Sequence, residues 1–324
     1  MERIIITGGA GFIGSHIVDE LVNKGKEVVV LDNLLTGKKS YLNSRAAFFE
    51  TDICHREIET IFEKVRPDYV IHHAAQVDVT RSLHLPLLDA QINITGTINL
   101  LECCKKYPVK KIIYASSAAV YGHPKYLGID EKHEINPISF YGLSKYTAEK
   151  YIHLYSQHYG MDYAILRYAN VYGPRQSHEG EGGVIAKFLH CISQGERPAI
   201  YGDGHQTRDF VYVRDIVRAN LLALEKGSRA TMNIGTGSGT SLNELVNVLK
   251  QQTNMEINPF FKAPKAGDIR NSHFNCENAH ATLQWKAGYS LDKGLGDMVD
   301  YYRIQAYSQS SEKSIKIQKI GIKI

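Results

Sequence analysis

The first 32 residues constrain this chain most. Arg3-Ile-Ile-Ile6 is a short apolar run, and Gly9-Ala-Gly11-Phe-Ile-Gly14 follows it closely. From Ser15 to Lys24 the apolar residues Ile17, Val18, Leu21 and Val22 recur at helical spacing. So short an apolar run reads as a parallel strand buried on both faces. Glycines after it allow a tight turn, close approach to a pyrophosphate and close packing of the helix on the sheet. The helix start then offers free N–H groups and the positive end of its dipole to phosphates. A second strand, Glu27 to Leu31, ends at Asp32, 18 residues after Gly14. An acid near this spacing takes up a ribose hydroxyl. Asp32 would also repel a 2′-phosphate, so the expected dinucleotide is NAD and not NADP.

Strand and helix keep alternating. Tyr69-Val-Ile-His-His-Ala-Ala75 ends in small residues, and Ala74 and Ala75 leave room for a cofactor. Asp52 and Ile53 close a strand near Phe48-Phe49, where Asp52 either hydrogen-bonds adenine or caps a loop. Gln91 to Lys106 reads as a helix with Ile92, Leu100, Leu101 and Cys104 on its apolar side, and Asn93 bridges to the sheet. Such repetition predicts an α/β fold, a doubly wound parallel sheet with ligands at the carboxyl ends of its strands.

The chemistry is expected at that same edge. Lys111 to Ala115 delivers Ser116 and Ser117 there, and Tyr141 and Lys145 share a face of the next helix, four residues apart. Moving hydride from an alcohol carbon to nicotinamide requires removal of the hydroxyl proton. A phenol is a poor base at neutral pH. Lys145 and the oxidised nicotinamide, both positive, are therefore expected to lower the pKa of Tyr141, while Ser117 orients the reacting oxygen. Ser116 either joins them or satisfies backbone groups at the strand end.

Composition narrows the classes. The 324 residues are 43% hydrophobic and 22% charged, enough for a large α/β domain and a smaller partner. The net charge of +4 is spread along the chain before the tail, so no nucleic acid is expected. Five cysteines, Cys54, Cys103, Cys104, Cys191 and Cys276, show no metal-ligand spacing and read as reduced thiols of a cytoplasmic protein. No metal is expected from the 14 histidines, and His72-His73 reads as strand packing. A strand begins within three residues of the N-terminus, so no signal peptide is expected, and no apolar run is long enough to span a membrane.

Taken in order, the motifs resemble the extended short-chain dehydrogenase/reductases, in particular the NAD-dependent sugar-nucleotide epimerase/dehydratase family. They are Thr7-Gly-Gly-Ala-Gly-Phe-Ile-Gly14, Asp32-Asn33, His73-Ala-Ala-Gln-Val77, Ser116-Ser-Ala-Ala-Val-Tyr-Gly122, Tyr141-Gly-Leu-Ser-Lys145 and Arg167-Tyr-Ala-Asn-Val-Tyr-Gly-Pro-Arg175. The resemblance covers about residues 1 to 300 and implies NAD contacts from Gly8, Gly11, Phe12, Ile13, Gly14, Asp32, Asn33, Asp52, Ile53, Ala74, Ala75, Gln76, Asn93, Ser116, Tyr141, Lys145 and Tyr168. It implies catalysis by Ser117, Tyr141 and Lys145. It implies that Asn170, Tyr201, Arg208, Lys265, Asp268 and Ser272 join Ser117 and Tyr141 in holding a UDP-sugar. In that set Arg208 pairs with the diphosphate, Tyr201 packs on uracil and Asp268 takes the ribose hydroxyls. Bottom-up, Arg208 could instead form a surface ion pair with Asp203 or Asp209. The family usually has Arg where Lys265 stands, and Lys lacks the bidentate fork.

The implied activity is 4-epimerisation of a UDP-hexose, UDP-glucose or UDP-galactose, through a 4-keto intermediate. Related dehydratases carry an acidic pair where this chain has Ala118 and Ala119, so elimination is disfavoured. A small residue at Ser272 suggests room for an N-acetyl group. A reductase, or a nucleotide-sugar binder without activity, are the other readings. The expected NAD-binding domain is 1–168 plus about 208–238, with Phe210 to Val213 and Met232 to Gly235 returning to it. Residues 169–207 and 239–305 form the smaller α+β substrate domain. The resemblance also implies a homodimer through helices near 91–107 and 144–160. The tail, 306–324, alternates apolar and basic residues from Ile315 and reads as an edge strand, a contact segment or incidental packing.

Overall fold

The computed structural model describes residues 2–180, 183–265 and 267–304. The 306–324 tail lies outside them. Seven parallel strands make the central sheet: β1 (Arg3–Thr7), β2 (Glu27–Asp32), β3 (Ala47–Glu50), β4 (Tyr69–His72), β5 (Lys111–Ser117), β6 (Asp162–Tyr168) and β7 (Ala230–Ile234). Their spatial order is β7-β6-β5-β4-β1-β2-β3. The chain reverses its direction of travel across the sheet between β1 and β4, which opens a crevice above their carboxyl ends.

The strands are rich in Ile and Val because both faces are covered. Ile4, Ile6, Val28, Val30 and Leu166 pack under the helices Phe12–Asn23 and Val213–Glu225. Ile5, Val29, Val70, Ile112 and Ile165 point the other way, toward Phe62, Leu100, Leu101 and Ile152. A separate core on the C-terminal side gathers Ile185, Phe188, Leu189, Leu245, Leu249 and Met298. Trp285 is fully buried in the first of these cores and donates its indole N–H to the carbonyl of Asp215 at 2.9 Å.

Two expectations change in detail. Phe210–Tyr212 does not enter the central sheet but pairs in parallel with Asn170–Tyr172. Its alternation explains why: Val211 faces the first core while Phe210 and Tyr212 face the C-terminal one. The helix after it packs against the first core, and β7 pairs with β6. The helix expected over 91–106 opens with a π-helical turn, Gln91–Gly96, and becomes α-helical at Thr97–Lys106. Asn93 sits in the widened turn, where its side chain meets the backbone of Gln76. Among the described residues no helix is long and apolar enough to cross a membrane.

Candidate functional site

The glycine turn is built by close approach. Gly8 has φ +70°, and a Cβ there would lie 2.6 Å from the Ala74 nitrogen. A Cβ on Gly14 would lie 2.2 Å from the Gly8 carbonyl oxygen, so the helix could not seat on the turn. Gly11 precedes the helix and no side chain caps it, which leaves the N–H groups of the first turn facing the crevice. Asp32 accepts from Ala10 N at 2.9 Å and Leu34 N at 2.8 Å, and is only 7% exposed. Burial raises its pKa, so it braces the turn as well as ending β2. Asn33 donates to Asp52 at 2.8 Å, and Asp52 also accepts from Cys54 N, which lowers the carboxyl pKa against its burial. These are loop-capping bonds. Ile53 is buried beside Gly96. Phe12 and Ile13, on the helix after the turn, pack partly buried against the C-terminal core.

The next edge is held by a buried hub. Gln76 N donates to Asn93 Oδ1 at 2.8 Å, and Asn93 Nδ2 donates back to Gln76 O at 2.9 Å and to Ser144 Oγ at 3.0 Å. Ser144 Oγ in turn donates to the Tyr141 carbonyl at 3.1 Å. Asn93 thus ties the loop after β4 to the helix that carries Tyr141. His72 bonds Thr7 and Thr97, and His73 stacks on Tyr168 with ring centroids 5.8 Å apart. Burial holds His73 neutral, near 4. The Tyr168 hydroxyl is bonded by Asn220 at 2.8 Å, so this residue meets the crevice with its ring and backbone.

Ser139 caps the helix Phe140–Tyr159 by accepting from Gly142 N, and Gly160 ends it at φ +70°. Gly142 lets its first turn approach the turn after β5, because a Cβ there would lie 2.4 Å from Ala119 O. That approach brings the Tyr141 phenol near enough to Ser117 for Ser117 to pull its pKa down. Ser117 Oγ also accepts from Ala119 N at 3.2 Å. Lys145, one turn on, is 4% exposed and lies 4.5 Å from the centre of the Tyr114 ring. Burial pulls its pKa down to about 8, against the opposing pull of Glu149 and Asp89. In the chain alone the pKa of Tyr141 is raised by burial, and Ser117 pulls it back.

Ser116 also differs. Its hydroxyl donates to Glu149 Oε1 at 2.5 Å, and Glu149 is clamped by Arg167 at 2.9 and 2.6 Å. Strand alternation turns Ser116 into this buried ion pair and leaves Ser117 to Tyr141, so the side chain of Ser116 is not free for a cofactor.

The substrate residues gather on short strands and loops. A cleft of about 430 Å³ is lined by Tyr201, Gln206, Phe261, Lys262, Lys265, Asp268 and Arg270 among others. The ammonium groups of Lys265 and Lys262 lie 4.7 and 5.6 Å from the centre of the Tyr201 ring. Arg208 pairs with Asp268 at 2.5 Å, not with Asp203 or Asp209. Asp203 is taken by Arg270 in a bidentate pair at 2.7 and 2.9 Å, and Asp209 accepts from Thr236, Gly237 and Phe274. Asn170 is exposed at the start of its strand, bonded through its N–H to Asp209 O. Ser272 is half-buried, with its N–H on the Thr207 carbonyl. Phe261, Lys262 and Arg270 went unnoticed in the sequence. Arg270 had a signal, two residues beyond the Asp268 that was singled out. Among the described residues no group of three His, Cys, Asp or Glu side chains could hold a metal ion.

Residues 4–235 match the model of the NAD dependent epimerase/dehydratase family. A putative UDP-glucose 4-epimerase of Methanocaldococcus jannaschii is 46% identical over 93% of this chain and 98% of its own length. The crystal structure of UDP-glucose 4-epimerase with UDP-glucose from Thermotoga maritima superposes with a TM-score of 0.92, at 46% identity over 94% of this chain and 99% of that one. A UDP-N-acetylglucosamine 4-epimerase from Methanobrevibacter ruminantium, in complex with UDP-N-acetylmuramic acid, gives a TM-score of 0.90 at 34% identity, covering 94% and 99%.

Proposed function

This chain belongs to the NAD dependent epimerase/dehydratase family, and from that premise we propose that it interconverts UDP-glucose and UDP-galactose by inverting C4. One observation carries the reading: the Tyr141 phenol meets Ser117 at a sheet edge shared with a glycine turn whose helix start is uncapped. NAD fits that edge, because the helix start after Gly11 carries no side-chain cap and leaves N–H groups for a pyrophosphate. When bound, NAD would supply the hydride acceptor and donor for C4, chemistry that no side chain of the protein provides.

The chain's residues do the rest. Tyr141 takes the O4 proton as C4 is oxidised and gives it back as C4 is reduced. Ser117 donates a hydrogen bond to the same oxygen and fixes its direction. Tyr141 takes the proton as the phenolate, which the positive charge of Lys145 favours against the burial that raises the phenol's pKa. Between the two steps the 4-keto sugar turns over, held through its diphosphate and nucleoside. Arg208 and Lys265 hold the phosphates, Asp268 the ribose, Tyr201 and Phe261 the base, and Asn170 the sugar-nucleotide linkage. Binding substrate then means exchanging the Arg208–Asp268 pair for ligand contacts. Ala118 and Ala119 place no acid beside the reacting carbon, so nothing is eliminated.

Incubating the purified protein with UDP-glucose, without added NAD, tests the proposal. UDP-galactose should accumulate to equilibrium; stoichiometric NADH would mark a dehydrogenase instead. A second reading, turnover of the N-acetylated UDP-hexoses, is favoured by Ser272 and by the likeness to the UDP-N-acetylglucosamine enzyme. A strong preference for UDP-glucose that Ser272→Tyr leaves unchanged would end it.

The working unit is a homodimer. Leu143 and Leu154 on the Tyr141 helix and Leu83 and Leu87 on the neighbouring segments are 48%, 49%, 53% and 81% exposed, an apolar surface that a second copy would cover. Sedimentation at micromolar concentration should give twice the chain mass. The five thiols are unpaired, which suits the reducing cytoplasm.

A further inference from the structure

We infer that Asp89 is a positioning residue for the proton chemistry: its buried carboxylate supplies the negative charge that holds Lys145 as an ammonium and sets the pH range in which the Tyr141–Lys145 pair works. The inference rests on the roles given to Tyr141 and Lys145 above.

Asp89 is 1% exposed. Its Oδ1 accepts from Gln76 Nε2 at 2.8 Å and Asn93 Nδ2 at 3.2 Å. Its Oδ2 is buried and has no hydrogen-bond partner. Leaving a buried carboxylate oxygen unsatisfied is expensive and is found where something else requires it. Its short helix packs against the helix that carries Lys145, which is 4% exposed and, among the described residues, in no ion pair. Two lone charges of opposite sign in one low-dielectric interior steady each other without touching. Accordingly Asp89 pulls the pKa of Lys145 upward, and those of Tyr141 and Tyr114 as well.

Position supports the assignment. Asp89 touches the hub through Asn93, which leads by Ser144 to the carbonyl of Tyr141. The other carboxylate acting on Lys145 is Glu149, whose pull is the larger of the two but which Arg167 also holds at 2.6 Å, so Asp89 is the one with no cation of its own. The Val79–His84 helix, packed beside Asp89, brings Asp78 and Arg81. Asp78 is occupied in capping the N–H of Arg81 at 2.7 Å. Asp89 is therefore the carboxylate near Lys145 that neither an ion pair nor a cap accounts for. In the sequence it reads as an ordinary acid in a short helix.

The sign follows. Removing the charge lowers the pKa of both Tyr141 and Lys145. The acid limb of the rate profile, where Tyr141 must lose its proton, and the alkaline limb, where Lys145 loses its own, both move to lower pH. The test measures epimerisation rate against pH for the full chain with its cofactor, in the parent, Asp89→Asn and Asp89→Glu. The Asn variant should shift both limbs down by on the order of half to one pH unit, while the Glu variant, which keeps the charge, should retain the parent limbs. An Asn variant that is slower with unmoved limbs makes Asp89 merely structural and overturns the inference. So does a Glu variant whose limbs move. Should the Asn variant fail to fold, Asp89→Ser takes its place, with the same downward shift of both limbs expected and unmoved limbs overturning the inference. A parent chain without epimerase activity would instead overturn the function proposed above.

Discussion

The catalytic edge and the sugar-nucleotide cleft are built on opposite plans. At the edge, each reacting group sits on a regular element and is fixed from behind: Ser117 ends β5, while Tyr141 and Lys145 open a long helix tied down by Ser144, Asn93 and Gln76. In the cleft, the recognition groups stand on two- and three-residue strands and loops. There the charges occupy one another, Arg208 with Asp268 and Arg270 with Asp203. The difference matches the proposed tasks. Proton and hydride transfer require groups held within about 0.5 Å of their working positions. A 4-keto sugar that turns over between two half-reactions needs a looser holder, anchored through the nucleotide.

The sharpest way to break this contrast is Tyr141→Phe. It should lower kcat by about 10²- to 10⁴-fold, with NAD binding and melting temperature retained. A variant that keeps its rate would move the proton chemistry elsewhere. Next in size is the support beneath the edge. Arg167→Met leaves Glu149 buried and uncompensated and should cost about 3–5 kcal/mol of stability, read as a fall in the denaturant midpoint.

Lys145 tests whether the edge stores strain. Its pKa in the folded chain is about 8 against an ordinary 10.5, so the unfolded chain holds the proton more tightly. The resulting penalty is fully present below about pH 8 and is relieved as pH rises toward 10.5. Lys145→Met should therefore be inactive yet more stable at pH 7, by on the order of 2–3 kcal/mol. The gain should vanish in alkaline buffer. On the cleft side Arg208→Ala should weaken UDP binding by about 10- to 100-fold and leave kcat much closer to the parent. A loss confined to kcat would mean that cleft and edge are not separate in function.

The same contrast explains what the sequence disclosed. Gly8, Gly11, Gly14, Ser117, Tyr141 and Lys145 were legible because helical and strand periodicity place them relative to one another. So was the parallel sheet, whose strands are apolar on both faces. The partners of Arg208 were not, because nothing local brings residues 60 positions apart into contact. Ser116 looked like a second active hydroxyl until its strand parity turned it to Glu149. The direction of the Tyr141 pKa was hidden for another reason: it depends on how completely the phenol is buried, and motif spacing carries no burial. Asp89 was invisible on both counts, being a common residue whose meaning comes only from its unsatisfied oxygen.

The account turns on hydride leaving C4 and returning to the same carbon. UDP-glucose incubated with the purified protein in deuterium oxide, without added NAD, tests this by proton NMR. The account predicts UDP-galactose that keeps full protium at C4, since the hydride never exchanges with solvent. Deuterium incorporated at C4, or no interconversion at all, would contradict it.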